Sequence, residues 1–354
     1  MNENGCMTTS SCCCSGSGAD DAIAQAAKAA SVALSPKDIL GSWKARWGIG
    51  RMNYTVEPGL YSIGKPDNDS PVIVSANYKL TFDTLRKNLD GLDCWLLILD
   101  TKGINVWCAA GKGTFGTEEL LRRIESSELS KYVSHTRLIL PQLGATGVSA
   151  HEVASRAGYD VKYGPVRARD IKPYIDAGYE ATREMRAVRF TLWDRLILTP
   201  MELMPAIKYS LPVFAAMLLA NQIAVKPFGK TDVATSFGAI LSGTVLTPAL
   251  LPYIPGRAFA WKGWLLGMGS TVGILGMSGG FKKGNRLISA GSLLLYPAIS
   301  SYLAMNFTGA STYTPPSGVN KEMKKALPFI VGAAVAGTAL TFGARLFGGK
   351  RSEA

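Results

Sequence analysis

From about residue 205 onward the chain is a succession of apolar stretches, each near the ~20 residues a helix needs to cross roughly 30 Å of hydrocarbon, parted by short basic loops. Backbone polar groups in hydrocarbon must be satisfied within the segment, so such stretches are read as helices. Five spans are expected, at Ile207–Val225, Val233–Tyr253, Ala260–Gly280, Leu287–Phe307 and Leu327–Phe347. Before them lie about 200 residues with charges throughout, the pattern of a soluble domain. The slightly positive mean hydropathy averages over this division.

Details of the apolar half agree with a bilayer setting. Tyr253, Trp261, Trp264 and Tyr302 fall near span ends, where interfacial aromatics belong. Gly263-x3-Gly267 and Gly269-x3-Gly273 on the third span would let helices approach closely. No Asp or Glu lies at a span centre, and transporters place ionisable groups there. An anchor or docking role is therefore favoured over transport. The formal net charge of +12 sits largely in loops beside the spans, so it reads as membrane topology rather than as a nucleic-acid footprint. Five spans put the termini on opposite sides. With the soluble domain inside, ten Lys/Arg lie inside and eight outside, and the first span, which usually dominates orientation, is preceded by a strongly basic segment that belongs to the ten. A multi-pass protein of the cytoplasmic (inner) membrane with its soluble domain in the cytoplasm is expected.

Six cysteines are present. Cys6, Cys12, Cys13 and Cys14 stand in a Ser/Gly-rich stretch read as a disordered tail over residues 1–35, which lacks the basic start and apolar core of a signal peptide. None shows C-x2-C spacing, and the Cys12–Cys14 run is only a candidate for a soft metal. Cys94 and Cys108, in the soluble domain, suggest a reducing compartment.

The soluble domain, placed at 36–190 with a linker at 191–206, alternates apolar runs with amphipathic stretches. Strands are expected at Pro71–Tyr78, Cys94–Asp100, Asn105–Ala110, Thr136–Leu140 and Val161–Tyr163, and helices at Thr81–Leu89, Glu118–Leu129 and Ser149–Ala157. Alternation of this kind argues for an α/β fold with a Rossmann-like, mostly parallel sheet covered on both faces. Ligands in such folds sit at the carboxyl ends of the strands. Attention therefore falls on the loops after Val74, Asp100, Ala110 and Leu140.

One of these carries Asn105-Val106-Trp107-Cys108-Ala109-Ala110-Gly111-Lys112-Gly113-Thr114-Phe115-Gly116. Gly111-x-Gly113-x-x-Gly116 fits the dinucleotide fingerprint, but no acidic residue follows at the end of the next strand, where Leu140-Pro141-Gln142 stands. A P-loop would need a glycine at Val106. Neither reading accounts for Trp107-Cys108. A cysteine at a strand end facing a binding crevice is where a soft ligand or a nucleophile would sit, whereas Cys94 reads as a small core residue. A nucleophile would want a histidine partner, and neither His135 nor His151 has such a context.

Asn105-Val106-Trp107-Cys108-Ala109-Ala110-Gly111-Lys112 resembles the signature of the HgcA family, corrinoid proteins of bacterial and archaeal mercury methylation. The likeness extends to architecture, a corrinoid-binding α/β domain followed by five membrane spans, and to Ser75-Ala76-Asn77-Tyr78-Lys79-Leu80, where the family more often has Thr at the place of Ser75. The resemblance implies a corrinoid (cobalamin) cofactor with Cys108 as the lower axial ligand of its cobalt, and a cap helix opening near Thr114 beneath the corrin. It implies cofactor contacts from Ser75, Asn77, Asn105, Val106, Trp107, Ala109, Ala110, Gly111, Lys112, Gly113 and Thr114. The Asp-x-His-x-x-Gly motif of histidine-ligated corrinoid proteins does not occur. The activity implied is transfer of a methyl group from cobalt to Hg(II), giving methylmercury. The partners implied are a ferredoxin-like protein with two 4Fe–4S clusters (HgcB type) as electron donor and a methyltetrahydrofolate-linked methyltransferase system as methyl donor. The alternatives are a membrane-anchored corrinoid methyl carrier of the acetyl-CoA pathway type that does not act on mercury, a nucleotide-binding regulatory module, and a transporter with a regulatory soluble half.

Overall fold

The computed structural model describes residues 27–282, 285–310 and 316–347. Cys6 and Cys12–Cys14 lie outside the described residues, as does most of the expected tail. Among the described residues there are six strands: β1 Lys28–Ala29, β2 Gly59–Ile63, β3 Val72–Ala76, β4 Cys94–Leu99, β5 Arg137–Leu140 and β6 Asp160–Tyr163. The longer helices and short helical turns are α1 Pro36–Arg46, α2 Lys79–Lys87, α3 Val106–Lys112, α4 Thr117–Ser126, α5 Ala150–Ala157, α6 Ile171–Asp176, α7 Arg183–Arg186, α8 Leu192–Leu196, α9 Thr199–Ala220, α10 Lys230–Leu241, α11 Thr247–Leu250, α12 Phe259–Met277, α13 Arg286–Asn306 and α14 Pro316–Leu346. The described residues group into two compact units. One holds the residues up to Val32 together with Val56–Tyr179; the other holds Ala33–Thr55 together with the chain from Glu180.

The first unit is built on one sheet of order β1-β2-β4-β3-β5-β6. The sheet is mostly parallel, as expected, but mixed, because β2 runs antiparallel to β4. β3 lies between β4 and β5, parallel to both, and β5 is parallel to β6. β1, inside the stretch expected to be tail, pairs with β2. Every residue of β3 and β4 is buried, as an apolar run covered on both faces requires. β2 escapes a reading from hydropathy because Tyr61 and Ser62 interrupt its apolar pattern. One large apolar core joins Val74, Leu97 and Leu99 of the sheet to Ala109, Phe115, Leu120, Leu140 and Val153.

The strand expected at Asn105–Ala110 is instead the helix α3. Val, Trp and Cys have β-leaning propensities, but three local features override them. β4 stops at Leu99 and is followed by a turn with Lys102 and Gly103 at φ 57° and 70°. Asn105 then caps the helix, its Oδ1 accepting from Cys108 N at 2.9 Å. Gly113, at φ 82°, closes it in the left-handed conformation.

In the second unit, four helical stretches are long and apolar enough to cross a membrane: Leu192–Ala220, Lys230–Leu250, Arg286–Asn306 and Ser317–Leu346. The expected count of five is thereby corrected to four among the described residues. The fifth candidate exists as α12, 19 residues long, but its glycines, two tryptophans and Lys262 dilute its hydropathy. The first stretch begins well before Ile207, so the expected linker at 191–206 is largely helical. α12 packs tightly on α13. A Cβ at Gly263 would lie 2.4 Å from Ala304 Cβ, and one at Gly267 2.5 Å from Ser300 Cβ. Ser300 and Ser301 donate to the carbonyls of Gly263 and Ala260 at 2.7 and 2.8 Å. The second expected motif packs against nothing, since a Cβ at Gly269 or Gly273 would meet open space. α13 meets α14 through Gly291 and Gly337 in the same manner as Gly263 and Gly267. Trp261 and Trp264 stack at 5.4 Å, and Tyr253 is exposed.

Candidate functional site

The carboxyl ends of β3, β4 and β5 share one edge of the sheet, and α3 lies there. Its two faces differ sharply. Val106, Ala109 and Ala110 are buried in the core, whereas Trp107, Cys108, Gly111 and Lys112 are exposed. Cys108 is thus a free, exposed cysteine held on a helix whose opposite face is anchored. A Cβ at Gly111 would meet nothing within 4 Å, so the surface beside Cys108 is open. Behind the helix the approach is close. A Cβ at Gly147 would fall 2.1 Å from Phe115 O and 3.0 Å from Ala110 Cα, so only glycine lets the β5–α5 loop come so near.

The loop that feeds α3 is pinned by Asn77, one residue beyond β3. Its buried side-chain oxygen accepts from Thr101 N at 3.1 Å and from Gly103 N at 3.0 Å, with the Thr101 hydroxyl at 2.9 Å. Its amide donates to Asp100 Oδ1 at 3.2 Å. Asp100 in turn accepts from Lys102 N at 3.0 Å and pairs with the Lys102 ammonium, while its own amide donates to Glu119 Oε1 at 2.7 Å. Partial burial raises the Asp100 carboxyl. The hydrogen bonds and charge of Lys102, with the more distant Arg123, outweigh it and leave the group below the ordinary carboxylate value. Two strand ends and the first turn of α4 are thereby tied into one frame that sets the entry angle of α3.

The residues that resemblance assigned to a cofactor divide accordingly. Trp107, Cys108, Gly111 and Lys112 present themselves on one outward face, with Gly113 exposed at its end. Val106, Ala109 and Ala110 support that face from the core. Thr114 is half-buried, its amide donating to Ala109 O at 3.0 Å, and the helix near it opens at Thr117, later than the expected start. Ser75 is buried within β3 opposite Ile98. Asn77 and Asn105 spend side-chain oxygens on the backbone of the site. Sequence reasoning passed over Gln142, just after β5, whose Oε1 is buried without a hydrogen-bond partner. Its place where a dinucleotide fold would carry an acid was the available signal.

The other titratable candidates fall away from this edge. Cys94 opens β4 at its far end, fully buried, its thiol pushed up to about 12 by burial and by Asp93. His135 is spent on backbone, Nε2 on Ser70 O at 3.0 Å and Nδ1 accepting from Arg137 N at 3.1 Å. Among the described residues, no group of three or more His, Cys, Asp or Glu could by itself hold a metal ion.

Residues 48–175 match the family model described as the CO dehydrogenase/acetyl-CoA synthase delta subunit. That stretch contains all of α3 and the Asn77 frame. Among curated proteins, the chain is 34% identical over 123 residues to the acetyl-CoA decarbonylase/synthase complex subunit gamma of Methanopyrus kandleri, covering 34% of this chain and 26% of that protein. It is 42% identical over 98 residues to the same-named subunit of Methanocaldococcus jannaschii, covering 27% and 20%. It is 32% identical over 126 residues to that of Archaeoglobus fulgidus, covering 35% and 26%. The chain spans about a quarter of the length of these relatives, and the family-model match ends at residue 175, before the chain from Glu180 onward.

Proposed function

We propose that the chain is a membrane-embedded corrinoid protein in which Cys108 is the lower axial ligand of cobalt, and that it delivers a methyl group to Hg(II) to form methylmercury. The observation that carries the reading is the exposed thiol of Cys108 on the outward face of a helix whose inner face belongs to the core. The site fits the group in three respects. A sulfur donor suits a soft metal centre. The surface at Gly111 is open enough for a flat macrocycle to approach. The buried, unsatisfied Gln142 Oε1 offers an acceptor at the same edge of the sheet.

When bound, the corrinoid supplies a cobalt that takes up a methyl group from a donor and yields it to an acceptor. The residues of this chain govern how readily it does so. Cys108 would hold that cobalt through its sulfur, and so soft a donor would tune how readily a bound methyl group is given up. Asn105 accepts from Cys108 N, and the Asn77–Asp100 frame holds Thr101 and Gly103 of the loop that leads into α3, so the backbone that carries the sulfur is fixed. Trp107, Gly111 and Lys112 flank the ligand on the same face. Electrons to restore the cobalt come in this reading from a ferredoxin-like protein with two 4Fe–4S clusters, and the methyl group from a methyltetrahydrofolate-linked methyltransferase. The four apolar helices anchor the unit in the cytoplasmic membrane, with the α/β unit in the cytoplasm.

Anaerobic reconstitution with cobalamin tests the ligand. Wild type is expected to show a visible spectrum that Cys108→Ala alters and to methylate Hg(II), whereas Cys108→Ala does not. Cys108→His is expected to keep cobalamin with a different spectrum and to lose much of the transfer rate. A spectrum indifferent to Cys108→Ala removes the axial-ligand role. The matches to acetyl-CoA decarbonylase/synthase subunits support a second reading, a corrinoid methyl carrier that does not act on mercury. A protein that binds cobalamin and takes up a methyl group but yields none to Hg(II) selects it.

A further inference from the structure

Residues 33–55 interrupt the α/β unit in sequence yet cluster with the helical unit. Within them α1 is a well-formed helix. Ser35 and Asp38 make a reciprocal capping box and Pro36 takes the first turn. Its faces are unequal. Ala45 is buried, and Gly41 faces the Tyr54 ring so closely that a Cβ would lie 2.6 Å from Tyr54 Oη. The Tyr54 hydroxyl also donates to Asp38 O at 3.2 Å, which fixes this side as the inner one. On the other side, Ile39, Leu40 and Trp43 are 57, 54 and 61% exposed, and Trp47 extends the same stripe, its ring 5.4 Å from that of Trp43. Ile49 and Met52, just beyond the helix, are exposed as well. Lys37 and Lys44 border the stripe on one flank and Arg46 on the other, and residues 33–55 hold four cations against the single anion Asp38.

We propose that α1 is an interfacial helix that lies in the plane of the membrane, its Ile39–Leu40–Trp43–Trp47 stripe in the headgroup–acyl boundary of an anionic bilayer. The pattern is that of an in-plane amphipathic helix: an apolar face with tryptophan, and long cations at its borders that reach up to lipid phosphates. Tryptophan favours this depth because its ring is apolar and its N–H needs a polar partner. Charge complementarity selects lipid over a second copy of this chain, since two such faces would bring like charges together. Membership of the unit that carries the four apolar helices puts the stripe on the body the bilayer already holds. The inference rests on the proposed membrane embedding of those helices. It deepens that reading by giving the unit a second, lateral hold on the bilayer, contributed by the segment that enters the α/β unit at Val56.

The test uses the full chain in phosphatidylcholine vesicles whose lipids carry bromine either high on the acyl chains or near their ends, with and without phosphatidylglycerol. Tryptophan quenching is compared between wild type and Trp43→Phe, a change at an exposed position. Wild type is expected to show quenching by the shallow bromines, greater with phosphatidylglycerol, that Trp43→Phe reduces by the Trp43 share while Trp47, Trp261 and Trp264 remain, and the iodide-accessible fraction of the emission is expected not to fall in Trp43→Phe, since Trp43 is shielded. In Lys37→Gln/Lys44→Gln the phosphatidylglycerol-dependent increment should disappear. Equal shallow quenching in wild type and Trp43→Phe overturns the proposal. So does shielding of Trp43 that rises with protein density, which indicates self-association, or shielding that appears only on adding another protein. Flotation of the vesicles after alkaline carbonate washing reports the spanning helices separately: protein lost at that step refutes the membrane embedding, whereas protein retained with an unquenched Trp43 refutes the interfacial helix alone.

Discussion

Replacing Asn77 by alanine should loosen the candidate site without touching any residue on its exposed face. The Asn77 oxygen is the acceptor for Thr101 N and Gly103 N, and both donors are buried. Alanine leaves the two amides without partners in a place water does not reach. A buried donor left unsatisfied costs about 1–3 kcal/mol. Even a net loss of about 2 kcal/mol, after relaxation of the loop, corresponds to a roughly 30-fold rise in local opening. Amide hydrogen exchange of the full chain, read at Thr101 and Gly103, should rise by at least that order, while amides in β4 and β5 change little. Cobalamin titration should then need more cofactor to reach the same Cys108-dependent spectrum, because α3 is misplaced but its ligand is present. Asn77→Asp provides the internal control. It keeps an acceptor for both amides but sets an oxygen against Asp100 Oδ1, where an N–H now donates at 3.2 Å. Its exchange at Thr101 and Gly103 should lie between wild type and Asn77→Ala. If Asn77→Ala leaves exchange at both amides and cobalamin affinity unchanged, the positioning role is refuted.

Other outcomes follow from the same structure. The folded Asp100 carboxyl lies below its unfolded value of about 3.9, so the unfolded chain binds the extra proton; its contribution is fully present above that pH and is lost as pH falls through the lower folded value. Protection of the Lys102 amide should therefore hold down to about pH 4 and fail below it, and Asp100→Asn should abolish this dependence. Cys94, pushed up to about 12, should resist alkylation in the folded chain near pH 8.5, the ordinary thiol range, while exposed Cys108 reacts; peptide mapping after labelling decides this. Asn105→Ala removes the cap of α3 and should cost about 1 kcal/mol locally, read as faster exchange at Cys108 N. Gly263→Leu should break the α12–α13 contact and lower the melting temperature in detergent, whereas Gly269→Leu, which meets open space, should be tolerated.

Strands and helices with an unambiguous period were legible from sequence. The uninterrupted apolar runs of β3 and β4, the Ser149-capped α5 and the long apolar helices stand where the pattern placed them, because burial on both faces or on one helical stripe dictates residue type directly. The motif around Cys108 was visible as a motif, but its conformation was not. Asn105–Ala110 has the composition of a strand and is a helix, because the cap at Asn105, the stop at Gly113 and the anchoring of Ala109 and Ala110 in the core outweigh propensity. The same decision turns Cys108 outward and Ala109 inward, which no two-residue alternation would do.

What the sequence alone determined is chemistry and class: one cysteine within a long motif, a histidine-poor α/β half and an apolar half. These depend only on which residues are present and in what order. Tertiary structure decided which neighbours they meet. It made β2 antiparallel through a register set by long-range pairing, packed α12 on α13 through Gly263 and Gly267, and assigned Asn77 to the loop backbone. It also joined residues 33–55 to the helical unit. Contacts between positions distant in sequence carry no local period, and that is why these features appear only once the chain is folded.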